Sequence, residues 1–78
     1  KIAIFFINIS NQRKRIGWQS NPISLSMTRQ DIADYLGLTI ETVSREISKL
    51  KTSNIIKIIS SKQLFINDIE KLKQISKL

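Results

Sequence analysis

Seventy-eight residues make one small domain, near the size at which a single core is only marginally sufficient. The absence of cysteine and histidine excludes disulfides, thiolate metal sites, the usual zinc ligands and the usual general base, so neither a metal centre nor a catalytic site is expected. Six carboxylates stand against 13 lysines and arginines, and the resulting net charge of +7 favours a polyanionic partner, nucleic acid ahead of an anionic membrane.

With 41% hydrophobic residues, two glycines and one proline, the chain reads as globular and rich in regular elements. Excess lysine alone often means only a solvated surface, so charge supports a nucleic-acid partner without settling it. The longest apolar run, residues 2–7, is too short to span a bilayer and lacks the small-residue cleavage site of a signal peptide. A cytoplasmic location without membrane contact is expected. The chain begins at Lys1 rather than methionine, which suggests a fragment of a longer protein.

In chain order, Ile2, Phe5, Phe6, Ile9 and Ile16 recur near every third and fourth position and are followed by Arg13, Lys14 and Arg15. This predicts a helix over residues 2–15 whose basic end suits the helix dipole. Ile4 and Ile7 lie on other faces, so the helix is expected to be apolar almost all round, its extra face packing against a part of the protein absent from this stretch. A strand over residues 2–9 competes, because β-branched residues dominate there. Residues 17–22 form a loop, given Gly17, Asn21-Pro22 and Ser20. Ile23 and Leu25 alternate with Ser24 and Ser26, which suits a short strand.

Thr28 can cap the next helix, with Asp31 reaching back as a capping-box variant. Ile32, Ala33 and Leu36 share one face, and Gly37 ends the helix in the left-handed conformation that glycine tolerates. Thr39 caps a second helix over about residues 39–50, with Val43, Ile47 and Leu50 as its buried face and Ser53-Asn54 as its close. The small Ala33 fits a close helix crossing. Residues 55–59 and 63–66 read as the strands of a hairpin turning at Ser60-Ser61-Lys62. Ile69, Leu72 and Ile75 mark a last helix capped by Asn67 or Asp68. The fold class is mainly α with a small β-hairpin, a winged helix-turn-helix.

With Val43, Ile47 and Leu50 inward, a rotation of about 100° per residue turns Glu41, Ser44, Arg45 and Ser48 outward. Each base pair shows a distinct donor and acceptor pattern in the major groove. Arginine can grip guanine O6 and N7, glutamate can accept from cytosine, and serine can bond to either base type. Ile40 could touch a thymine methyl or help to pack the turn. The competing reading is an i,i+4 ion pair between Glu41 and Arg45 on a solvated helix, of about 0.2–0.5 kcal/mol.

Residues 27–45, MTRQDIADYLGLTIETVSR, resemble the C-terminal DNA-binding domain of the Crp/Fnr superfamily, and Glu41-x-x-Ser44-Arg45 resembles its Fnr and FixK branch. The resemblance covers nearly the whole chain and is specific mainly over residues 27–50. It implies that Glu41, Ser44 and Arg45 read a TTGAT-like half-site of double-stranded DNA. It also implies a homodimer on palindromic DNA, transcription regulation and contact with RNA polymerase.

Phosphate contacts are expected from Arg29, Gln30, Thr39 and Thr42 near helix N-termini, from Lys49 on a flank and from Lys62 at the wing tip. For Arg29 and the lysines a solvated surface is the rival. Glu46 stands where such proteins usually carry an apolar residue. It is expected at the edge of the buried face, paired with Lys49 or Lys51, lowering nonspecific affinity. The sensor and dimerisation regions of that superfamily are absent from this stretch, so no cofactor is expected here and the isolated domain should bind a single half-site weakly. A winged helix used as a protein-interaction module without DNA readout is the alternative.

Overall fold

The apolar spacing of the first fifteen residues closes into a helix, and the strand alternative is not realised. A computed structural model describes residues 1–17 and 21–77. Along these residues the order is α1 (Ile2–Arg15), β1 (Ile23–Ser24), α2 (Arg29–Leu36), α3 (Ile40–Thr52), β2 (Ile56–Ser60), β3 (Gln63–Ile66) and α4 (Ile69–Ser76). The loop expected over residues 17–22 falls partly on residues 18–20, outside the described residues.

α1 is helical because that geometry buries Ile2 and Phe6 together on one face, a gain that outweighs β-branched propensity. α4 packs along α1, and α3 touches it as well. Part of the extra apolar face expected from Ile4 and Ile7 is therefore covered within the domain itself. Ile7 is buried and Ile4 alone of the two is exposed, at 46%. The Asp68 carboxylate caps α4 by accepting from the Lys71 N–H at 3.0 Å, and Leu72 is its fully buried anchor. Ile75 is half-buried against the core, whereas Ile69, expected on the same face, is exposed at the first turn.

The wing is larger than a hairpin. β1 joins β3 in an antiparallel three-stranded sheet of order β1-β3-β2, with Ile23 opposite Leu64 and Ile56 opposite Ile66. Between Ile58 and Ser60 the register shifts, leaving Ile59 as the extra, exposed residue of a bulge. What brings the short strand in is a set of polar ties outside the hydrophobic pattern. The Asn21 side chain donates to the Ile66 carbonyl at 3.0 Å and accepts from the Ile66 N–H at 2.9 Å, extending the ladder with an amide of the side chain in place of backbone. Leu25 N–H donates to the Lys62 carbonyl at 2.7 Å, and the Arg13 guanidinium donates to the Ser24 carbonyl. A loop-forming asparagine and a basic helix end thus also act as clamps.

Ile55, expected to open the strand, serves as a junction. Its N–H donates to Leu50 at the end of α3, and its carbonyl accepts from Asn67 and Asp68 ahead of α4. Asn54 just before it has φ 61°, a left-handed position that asparagine tolerates better than most residues.

Replacing Asn21 with alanine would strand both backbone groups of Ile66. Unfolding free energy should fall by about 1–3 kcal/mol in urea denaturation, with little change in the slope.

Candidate nucleic-acid interface

α2 and α3 form a helix pair whose mutual position is set at three points. Thr28 caps α2 in a full capping box: the Asp31 N–H donates to Thr28 Oγ1 at 3.1 Å, and the Thr28 N–H donates to Asp31 Oδ2 at 3.0 Å. Gly37 ends α2 at φ 70°, ψ 34°, where a Cβ would meet no neighbour but would strain the backbone, and Leu38 N–H returns to the Ala33 carbonyl at 2.8 Å. Ile32 and Ala33 of α2 are then buried with Val43, Ile47 and Leu50 of α3. Ala33 is fully buried, so a larger side chain there would have to displace its neighbours.

α3 begins one residue after the cap Thr39 and runs to Thr52, two residues past the expected end. The Thr42 N–H donates to Thr39 Oγ1 at 3.1 Å, and the Thr39 hydroxyl donates to Thr42 Oγ1 at 2.9 Å. Glu41 in the first turn and Lys49 and Lys51 in the last both suit the helix dipole.

With its apolar stripe buried, α3 turns Glu41, Arg45 and Ser48 to solvent, with Ser44 half-exposed beside them. No ion pair joins Glu41 to Arg45 among the described residues. The carboxylate and the guanidinium therefore carry no internal partner that a ligand would have to displace. Glu46 is half-buried at the edge of the buried face, as expected, but forms no ion pair with Lys49 or Lys51.

The other candidate residues divide between two flanks. Thr42, Arg45, Glu46 and Lys49 border a cavity of about 500 Å³ between α3 and the start of α1, floored by Ile2, Ala3 and Leu50. On the opposite flank, Arg29 is half-buried and borders a small cleft with Ile47, Ser60, Ser61 and Gln63, so it faces the wing. Lys62 is exposed in the β2–β3 turn. Gln30 is exposed, but its amide already donates to Asp34 Oδ1 at 2.9 Å. Thr39 has spent its hydroxyl proton on Thr42, which leaves Thr42 the better donor of the two. The nearness of Ser61 and Gln63 to Arg29 had no signal in the sequence, since it depends on how the wing folds back on α2. Among the described residues, no group of three or more His, Cys, Asp or Glu could hold a metal ion, and no helix is long and apolar enough to cross a membrane.

The family model of the Crp-like helix-turn-helix domain matches residues 1–75. The chain is 37% identical over 76 residues to the fumarate and nitrate reduction regulatory protein of Yersinia pestis, covering 97% of this chain and 30% of that one. It is 43% identical over 75 residues to the nitrogen fixation regulation protein FixK of Rhizobium meliloti, covering 96% of this chain and 34% of that one. The solved structure of FixK2 from Bradyrhizobium japonicum superposes with a TM-score of 0.82 at 33% identity, over 94% of this chain and 35% of that one. The chain thus spans about a third of the length of these relatives.

Removing the cap hydroxyl in Thr39→Ala should destabilise the domain by about 0.5–2 kcal/mol in chemical denaturation, whereas Thr39→Ser should keep most of the stability.

Proposed function

The chain belongs to the Crp-like helix-turn-helix family, similar to the Fnr and FixK regulators, and from that membership we propose how it reads DNA. The domain binds DNA for transcription regulation. α3 enters the major groove, and Glu41, Ser44 and Arg45 contact the base edges of a TTGAT-like half-site. Arg45 takes guanine O6 and N7 in a bidentate grip, Glu41 accepts from the opposite cytosine or an adjacent adenine amino group, and Ser44 bonds to either base type. The observation that carries this reading is the outward face of α3, where Glu41 and Arg45 stand one turn apart and unpaired.

Phosphates are held from both sides of the groove in this reading. Thr42 and Lys49 serve the flank nearest α1, and Arg29 and Lys62 serve the flank nearest the wing. Thr39 and Gln30 contribute from the helix starts, chiefly by fixing their neighbours. These groups set register and supply the salt-dependent part of the affinity.

Residues 1–78 act in this proposal as the winged helix-turn-helix domain of a longer cytoplasmic regulator, whose other regions sense a signal and dimerise. The protein binds a palindrome as a homodimer and contacts RNA polymerase. The chain's share of about a third of its relatives' length supports the division into domains.

Arg45→Ala should cost about 1–3 kcal/mol on a TTGAT duplex and relax the preference at the guanine, measured by fluorescence anisotropy. Equal binding of wild type and variant to TTGAT and scrambled duplexes would sink the base-reading assignment. Lys62→Ala should weaken binding to all sequences alike and reduce the slope of log K against log salt by about 1.

A further inference from the structure

We propose that the cavity between α3 and the start of α1 binds a free α-amino acid with a large apolar side chain, and that its occupant keeps DNA off α3. The site stands on its own residues. Only the exclusion of DNA rests on α3 being the helix that enters the groove.

The cavity holds about 500 Å³, within the span of roughly 300–1,000 Å³ typical of small-molecule sites. Its floor is apolar and is assembled from separate parts of the chain. α1 supplies Ile2 and Ala3, α3 supplies Leu50, the junction supplies Ile55 and α4 supplies Ile75. Such a floor favours an aliphatic side chain that leaves water to lie on it.

One wall is charged. Arg45, Glu46 and Lys49 line it from α3, a carboxylate following one cation and preceding another. Among the described residues none of the three forms an ion pair, although Glu46 and Lys49 have the i,i+3 spacing that permits one. Glu46 is moreover half-buried, where an unpartnered carboxylate costs more than on an open surface.

A zwitterion answers this pattern. Its ammonium donates to the Glu46 carboxylate, its own carboxylate accepts from Arg45 and Lys49, and its side chain lies on the floor. The Thr42 hydroxyl, which accepts from Thr39 at 2.9 Å, keeps its own proton to donate to the same ligand carboxylate. A fatty acid would set a second carboxylate beside Glu46, and an alkyl amine would set a third cation beside Arg45 and Lys49. Like charge disfavours both. Thr42, Arg45 and Lys49 are also the groups assigned to phosphates and to guanine. They cannot serve both ligands at once, so amino acid and DNA weaken each other's binding to the same degree.

The probe is leucine, titrated into the isotope-labelled chain and followed by amide NMR shifts. The shifts should concentrate at Ile2, Ala3 and residues 45–55. 4-Methylpentanoate, which lacks the ammonium, and 3-methylbutylamine, which lacks the carboxylate, should each bind about tenfold more weakly, the factor for one hydrogen bond to a charged group. Glu46→Gln keeps the shape of the side chain and, with its fold checked by circular dichroism, should erase the preference for leucine over 4-methylpentanoate. No shifts at millimolar leucine, shifts centred elsewhere, or equal binding of leucine and 4-methylpentanoate to the wild-type chain would overturn the site. Saturating leucine should also weaken binding to a TTGAT duplex, and undiminished binding would overturn the exclusion of DNA. Should Arg45→Ala then leave DNA binding unchanged as well, the failure lies in the reading of α3 and not in the cavity.

Discussion

The packing of α2 against α3 is the constraint on which the rest of the domain depends. Ala33, Val43 and Ile32 are almost completely excluded from solvent, and Gly37 supplies the left-handed exit that lets α3 turn back across α2. Ala33 fills its buried place with a single methyl group, and the backbone at Gly37 directs the turn. Once this pair is locked, the outward face of α3 is determined as the remainder of its circumference. Glu41, Ser44 and Arg45 are displayed because Val43, Ile47 and Leu50 are not free to rotate out.

The other elements hold this pair in place. α1 contributes Ile2 and Phe6 to the core, and α4 covers α1 with Leu72. Ile55 joins the end of α3 to the start of α4 through three backbone hydrogen bonds, which ties down the far end of α3. The sheet is held to the helices by side-chain ties, Asn21 to Ile66 and Arg13 to Ser24. The wing then stands at a defined distance from α2, and Arg29 lies in the cleft between them.

Charge follows the same division. The positive charge is spread over α1, α3, the wing and α4, whereas several of the few acids are occupied within the helices. Asp31 and Asp68 cap helices, and Asp34 takes the Gln30 amide. Glu41 and Glu46 are the carboxylates left on α3, with neither drawn into an ion pair there. Glu46 is held at the margin of the core, while Glu41 is exposed in the first turn. Two acids on one helix are thus separated by burial into an edge residue and an outward-facing one.

Much of this was legible in the residues alone, for reasons that can be named. Helix periodicity, the threonine caps and Gly37 are local devices, acting within one turn, so α2, the turn and α3 could be read directly, together with the outward placement of Glu41, Ser44 and Arg45. The burial of Ile7, the recruitment of β1 into a three-stranded sheet and the service of Asn21 as a strand edge could not. Each depends on partners 11 to 45 residues away along the chain or on which sides of α1 are covered. The ion pair expected at Glu46 failed for the same reason, because its position against α1 was settled by packing and not by spacing. The sequence by itself determined which side chains α3 would turn outward. Only the tertiary structure decided which of the remaining polar groups flank them, since a flank exists only once the wing and α1 have folded against the helix pair.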